Sequence, residues 1–581
     1  MIHVRSPHPR LRNQAVRGVR WCRAYFWGTY VKRTFISAAA ILAFAATAHA
    51  DELTDIQAQA KQLREQNATM TKRLADLEKR QKALETQKPV AVNPVDAMAA
   101  DLPYKAAVKA RPVESDDICL HGICVYGNFD MGLTWIQHSA PFSAPAAGPL
   151  DTLVSKNGAG SYFGAGVNQM STSFLGLRGK QEIGDNLFAV FNLQTLFNPA
   201  TGMNANGTGT IAQNSGLGDR IGFQNSFGDS SKGGQMFNNA AYFGLSSPTY
   251  GTLTLGRQSA LSSDLIVNYD PLSGSNSWSV ITFQGANGGG GRTENRIYDN
   301  SYEYRLNVGP VRLAAEAQLA QGGNSAVNNA FEGNIGFDYM GLSMDVLGGK
   351  IFGAVGGAAL TQAQLLSANN AGALTNGVAV TNGPYGMMGV TVSDNTVFQV
   401  AARYTIGPWK LFGGYENIHF ANPQSGLAPG AFLQGGMVAA TVNNCNFGAV
   451  IGGVCVNNNE VLQTVWFGVR YAVTPTLDIT GAYYHEWQNN FATAAGTITN
   501  CTIQGSLSSQ CAGTLDAVSF ALDWRFARHV DMYAGVMWSQ VNGGLASGFL
   551  NANGTNAGGV LTNGRNSASN IDPGIGLRYQ F

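Results

Sequence analysis

From about residue 118 onward, apolar and polar positions alternate with a period of two, interrupted at intervals by Gly, Pro, Asn and Asp. A period of two places successive side chains on opposite faces of a β-strand. Val465, Phe467, Val469, Tyr471 and Val473 share one face, and Thr464, Gly468 and Arg470 share the other. Phe520, Leu522, Trp524 and Phe526 likewise oppose Ser519, Ala521, Asp523 and Arg525. The same rhythm closes the sequence, where Ile571, Ile575, Leu577, Tyr579 and Phe581 alternate with Asp572, Gly574, Gly576, Arg578 and Gln580. The first such strand is expected over 125–135. Seven short turns are read at 184–186, 248–251, 307–310, 340–342, 407–408, 474–476 and 527–529. Eight long polar connections are read at 139–170, 199–237, 259–295, 323–330, 354–394, 421–460, 491–513 and 542–568, so that turns and loops together join sixteen strands.

Tight turns at one end and long loops at the other are the arrangement of an antiparallel barrel in lipid. Closure removes the unpaired sheet edge that hydrocarbon cannot solvate. A basic side chain facing lipid at mid-bilayer costs about 2–4 kcal/mol, so Asp523 and Arg525 are expected to face water. At sixteen strands the interior is too wide for side chains to fill. The expected fold over 118–581 is therefore all-β, a 16-stranded antiparallel transmembrane barrel around a water-filled pore.

The N-terminal part has other periods. Leu53, Ala60, Asn67, Leu74 and Gln81 fall at one heptad position, and Ile56, Leu63, Met70, Leu77 and Leu84 at the other. This predicts a coiled coil over 51–88, with Asn67 and Gln81 fixing register and partner number. A coiled coil needs other chains, so it implies an oligomer. Residues 89–117, rich in Ala, Pro and Val, read as a linker. The apolar run Phe35 to Ala48 follows Lys32 and Arg33 and ends at Ala48-His49-Ala50, a small-residue cleavage site. It is shorter than the ~20 residues a spanning helix needs, so residues 1–50 read as a signal peptide with a long Arg-rich extension. Translation is expected to begin near Val31.

Composition agrees with the pattern. Charged residues make up only 13% of the 581-residue chain and glycines number 72, against roughly 25% charged and 7% Gly in ordinary soluble domains. Removing residues 1–50 takes away eight of the 37 basic residues and none of the 36 acidic ones, leaving a modest acidic excess and no basic patch for nucleic acid. Six cysteines then remain as near neighbours: Cys119 with Cys124, Cys445 with Cys455, and Cys501 with Cys511. Close pairs in an exported chain suit disulfides. The five histidines of the mature chain are scattered, so no metal site is expected. Gly288 to Arg292 lacks the Gly-Lys-Ser/Thr of a phosphate loop. His485 and Glu486, near Asp478, have no accompanying nucleophile. Neither catalysis nor a cofactor is expected.

Several stretches resemble the general trimeric porins of Gram-negative bacteria. Tyr126 to Leu133 looks like that family's first strand, Phe174 to Gly179 and Leu187 to Leu196 like its second and third. Gly251 to Gln258 looks like the strand that leads into its constriction loop, and Gly576 to Phe581 like its closing strand. The resemblance implies a homotrimer in outer-membrane lipid, passing ions and small hydrophilic solutes by passive diffusion, with a third loop folded inward. That loop would be 259–295, carrying Asp264, Asp270 and Glu294, with Arg178 and Arg257 at the matching wall positions and Arg292 or Arg296 as a third arginine. Arg257 shares its parity with Leu253 and Leu255, so a bulge there is expected to reconcile it with a wall position. The coil is placed in the periplasm, where it would steady the trimer or reach peptidoglycan. An anion- or phosphate-selective channel is the alternative, since such channels also bear periplasmic coils; a surface adhesin is a weaker one.

Overall fold

The structure, a computed structural model, describes residues 118–138, 160–202, 236–281, 297–319, 329–359, 388–421, 460–490, 512–546 and 567–581. It also describes the short stretches 432–433 and 437–441 and, in the N-terminal segment, Lys61 and Lys72, both helical. The leader, the linker, the rest of the predicted coil, Arg292, Glu294 and Arg296 lie outside the described residues. Two of the three predicted disulfides, Cys445 with Cys455 and Cys501 with Cys511, lie outside them as well. The N-terminal unit, residues 1–91, and the barrel unit, residues 92–581, are compact separately.

Sixteen strands form a closed antiparallel barrel. They are β1 (Ile123–Ile136), β2 in two pieces (Tyr162–Val167 and Phe174–Gly184), β3 (Leu187–Leu196), β4 (Ala240–Ser247) and β5 (Gly251–Ser259). Next come β6 (Ile297–Val308), β7 (Val311–Gln318), β8 (Ala330–Tyr339), β9 (Leu342–Ala359), β10 (Met388–Ile406) and β11 (Trp409–Ala421). The circuit ends with β12 (Glu460–Thr474), β13 (Leu477–Gln488), β14 (Gly513–Ala527), β15 (Val530–Gly543) and β16 (Ser567–Gln580). Each of the seven short turns falls between strands where the sequence places it. The loop read at 139–170 is shorter than expected, because Tyr162–Val167 pairs with Met131–Ile136 as the first piece of β2. Residues 437–441 pair parallel with 388–392 of β10, an addition to one long loop.

The alternation resolves into an outer and an inner face. Phe520, Leu522, Trp524 and Phe526 are 36–49% exposed, as are Phe129, Met131 and Leu133 on β1, and these form the surface that lipid covers. Asn128 and Asp130, which alternate with them in sequence, are fully buried on the inside. Asp523 and Arg525 lie on this inner side, where Arg578 binds Asp523 at 3.2 Å and Asp531 at 2.8 Å, and Arg525 binds Asp531 at 3.2 Å.

Closure is made by β16 on β1, in the register Asn128↔Gln580 to Thr134↔Gly574. Gly127 and Phe581 exchange both backbone hydrogen bonds, Gly127 N to Phe581 O at 2.8 Å and Phe581 N to Gly127 O at 3.1 Å. The Phe581 ring stacks on Phe129 and Tyr579, with centroids 6.3 and 5.7 Å apart. A side chain at position 127 would begin 2.6 Å from that ring, so only glycine leaves it room. At the start of β1, Ile118–Leu120 turns back on it through His121 and Gly122, both at positive φ, as a two-residue hairpin turn requires. Cys119 and Cys124 face each other across this hairpin and form the first predicted disulfide.

The closing contact makes a prediction. Gly127→Val displaces the Phe581 ring and lowers the yield of folded, heat-modifiable protein on unheated gels by several-fold. Gly333→Val, at a position where an added carbon meets nothing within 4 Å, leaves the yield unchanged.

Candidate functional site

The connection between β5 and β6 turns back against the inner wall. Its first turn of chain is a helix the sequence did not announce, α1 (Leu261–Tyr269), with Leu261, Leu265, Ile266 and Tyr269 buried. These side chains join a core that includes Leu347, Ile351, Val397, Ile418, Leu462 and Trp466 on the inner faces of β9 to β12. The helix carries no side-chain N-cap of its own. Instead Glu332 of β8 accepts from Ser262 N at 2.9 Å, placing a carboxylate at the positive end of the helix. The other Glu332 oxygen accepts from the Tyr298 hydroxyl at 2.9 Å.

At the C-terminal end of α1, Tyr269 donates to Asp345 at 2.5 Å and accepts from Arg312 at 3.0 Å. Its carbonyl accepts from the Trp466 indole at 3.0 Å. Beyond the helix the loop continues across β12 to β16. Arg470 donates to Pro271 O at 2.5 Å and to Ser273 Oγ at 2.8 Å. Arg403 reaches Asn268 O at 3.3 Å, with its guanidinium carbon 5.9 Å from the centre of the Tyr269 ring. Among the described residues, neither Arg403 nor Arg470 has a carboxylate at ion-pair distance. Trp278, fully buried, lies in a slot made by two glycines: its ring is 2.5 Å from where a side chain on Gly535 would start and 3.1 Å from that of Gly574. Its indole nitrogen donates to Asp572 O at 3.0 Å, and Ser519 donates to its carbonyl at 2.6 Å.

The residues chosen from sequence fall in three places. Arg178 is on the inner side of β2, its guanidinium carbon 4.8 Å from the Tyr126 ring centre. Asp264 and Asp270 do lie on the loop, but as anchors turned to the wall. Asp264 is 6% exposed and paired with Arg305, which also binds Glu303 at 2.6 Å. Asp270 has no exposed surface; it accepts from the Tyr484 hydroxyl at 2.6 Å and from Gly274 N at 2.6 Å. Burial pushes this loop carboxyl above the usual carboxylate range, against the pull of those two hydrogen bonds and of the Arg470 charge.

Arg257 is 6% exposed, donates to Asn238 O at 2.9 and 2.6 Å, and pairs with Asp299 at 2.5 Å. The register of β5 on β6 shifts between Gly256 and Gln258, with Gly256 at φ 132°. A bulge thus breaks the parity at Arg257, and Gln258 is the residue that continues the inner row, bonded to Thr254 and Ser301. Sequence reading missed the wall groups that receive the loop, Glu332, Asp345, Arg403, Trp466, Arg470 and Tyr484. Their parity was available; what they would touch was not. It also missed three glutamates side by side on β6 to β8, Glu303, Glu316 and Glu332, which are register partners. Glu316 is 3% exposed, and neither of its oxygens has a hydrogen-bond partner among the described residues.

A family model described as Gram-negative porin matches residues 37–544, in agreement with this architecture. No curated protein matches the sequence. Among solved structures, the anion-selective porin of Comamonas acidovorans is 14% identical with a TM-score of 0.46, covering 79% of this chain and 99% of its own. OmpT of Vibrio cholerae, in a trimer form, is 13% identical with a TM-score of 0.43, over 79% of this chain and 99% of its own. OmpF of Salmonella typhi, in complex with daunomycin, is 12% identical with a TM-score of 0.41, over 80% of this chain and all of its own.

The glycine slot yields a test. Gly535→Leu fills the space of the Trp278 ring and frees the loop without touching a backbone hydrogen bond of the barrel. Chymotrypsin then cuts the folded protein at Tyr269 or Trp278, read by mass spectrometry of the fragments, while the unaltered protein stays intact there. Equal resistance in both would mean that the slot does not hold the loop.

Proposed function

The chain belongs to the Gram-negative porin family, and from that premise we propose that residues 260–281 narrow its pore into a constriction. The protein is an outer-membrane channel. The observation that carries the constriction is the set of loop contacts on the inner faces of β8 to β16, from Ser262 on Glu332 to Trp278 between Gly535 and Gly574. A segment lying on the inner wall takes cross-section from the lumen, and its charged surroundings act on solutes at close range.

In this reading the charges beside the narrowing include Arg403 and Arg470 on one sector and Arg178 on another. Asp478 and Asp523 face Arg470 across a small cavity that Leu272, Ser273 and Arg578 also line. Solutes pass by diffusion, with no chemistry performed on them. The functional unit is a homotrimer, the predicted coil of 51–88 implying an oligomer as well, and that coil stands in the periplasm.

Single-channel recording of the refolded mature protein in planar bilayers tests the pore directly. Stepwise ohmic insertions in multiples of three are expected. Arg403→Gln with Arg470→Gln moves the reversal potential in a salt gradient toward cations, changing the permeability ratio about two- to fivefold, as removing fixed charge from a narrow aqueous path does. An unchanged reversal potential would place these arginines outside the conduction path. For the coil, deletion of residues 51–90 is expected to lower the heat stability of the trimer while leaving conductance per protomer intact. An equally heat-stable trimer would end that assignment.

A further inference from the structure

Strand β2 leaves the sheet midway. Its two pieces both pair with β1, in the registers Met131↔Val167 and Asn128↔Phe174. Only Phe129 and Asp130 therefore stand opposite the six residues from Asn168 to Ser173. The surplus chain goes inward, because the inner side chain of Asp130 receives it. The Asp130 carboxylate, fully buried, accepts from Met170 N at 3.1 Å, Ser171 N at 2.8 Å and Ser171 Oγ at 3.0 Å, and also from the Tyr533 hydroxyl. Asn168, at φ 55°, tolerates the left-handed conformation that starts the excursion and accepts from Ser173 N at 2.8 Å. Asn128 donates to Ser171 Oγ at 3.0 Å and Thr172 O at 3.1 Å. The wall thus carries a preformed projection, bonded along its whole length.

Its outer acceptors meet the third loop. Gln169 O takes Ser275 Oγ at 2.8 Å and Ser277 N at 3.1 Å. The Asn276 amide donates to Asn168 O at 2.8 Å and to Thr172 Oγ1 at 3.2 Å. Past its helix, at Ser275 to Ser277, the loop is thus fastened by a strand it does not follow in sequence. We propose that the Asn168–Ser173 excursion, seated on Asp130, is the latch of the third loop, which makes Asp130 and Asn276 positioning residues for permeation. They set the width and steadiness of the pore through the loop they hold. The proposal rests on the reading of residues 260–281 as the narrowing element.

The test uses the full mature protein in planar bilayers. Asn276→Asp is isosteric but cannot donate, and Ser275→Ala removes the second side-chain donor. Losing such a hydrogen bond shifts a two-state loop by about two- to tenfold. Brief partial closures and open-channel noise should rise by that factor in each variant, and more in the double variant, while gel mobility and the heat stability of the barrel stay the same. Asp130→Asn, which unseats the whole excursion, should raise the noise at least as much as the double variant, and Asn276→Asp added to it should change little further, since the contacts of Asn276 are made on that excursion. If Asp130→Asn does not fold, the two loop-side variants decide. Unchanged noise in both, with the barrel folded, overturns the latch. If Trp278→Ala raises the noise while the latch variants do not, the constriction stands and the latch falls. A silent wild-type protein would remove both.

Discussion

A strand in lipid must find partners for every backbone N–H and C=O within the protein, since hydrocarbon offers none. Everything else in this molecule follows from meeting that demand by closure. The seam between β1 and β16 is where closure is made, and it is ordered by side chains as well as by the ladder. Phe581 lies across the glycine at 127 and stacks on Phe129 and Tyr579, so one end of the sheet recognises the other. On the inside of the same seam, Asp130 and Arg578 are register partners. Asp130 there orders the β2 excursion, while Arg578 ties β16 to Asp523 and Asp531 of β14 and β15. The place that closes the barrel is also the place that organises its interior.

Closing sixteen strands creates a second demand, because the inner wall has apolar residues that water would otherwise meet. Leu347, Val397, Ile418, Leu462, Trp466 and Met537 are inner residues, yet each is nearly or wholly buried. They are covered by chain from the third loop, whose Leu261, Leu265, Ile266 and Trp278 complete one core with them. Burying such side chains is worth on the order of 1.5–3 kcal/mol each, more than single surface hydrogen bonds supply. The loop is held on the wall chiefly by apolar contact, and the hydrogen bonds around it fix where along the wall it lies.

How much of this the sequence disclosed depends on the range of each cause. Strand number, the seven turns and the two faces follow from a period of two and from Gly, Pro and Asn at the turns, all of which act within a few residues. The bulge at Arg257 was legible as a conflict of parity between Arg257 and Leu253, though its cause, Gly256 at positive φ, was not. Helix α1 was hidden because Leu-Ser-Ser-Asp-Leu-Ile-Val-Asn-Tyr has no cap of its own; the carboxylate that serves its first turn comes from Glu332, 70 positions away. The excursion Asn168 to Ser173, of which only 168–170 fell in a predicted loop, was hidden for a similar reason. Its polar side chains and Asp130 fit one another only once β1 and β2 are paired.

The same distinction governs the charges. A search by type picks acids on the loop and arginines on the wall, and expects both to act on solutes. The geometry divides them by what they already hold. Asp264 is committed to Arg305 and Arg257 to Asp299, while Asp270, held by the neutral Tyr484 hydroxyl and Gly274 N, is wholly buried. A charge neutralised within a few ångströms and shielded from water has little field left for a passing ion. Arg403 and Arg470 are different, since their described partners are carbonyls, a hydroxyl and aromatic faces, which orient a guanidinium without cancelling its charge. Arg470 nonetheless faces Asp478 and Asp523 across a small cavity and acts on the nearby Asp270, so part of its charge is offset there. Whether an arginine on this wall meets a carboxylate or a carbonyl thus decides how much of its charge is compensated where it stands.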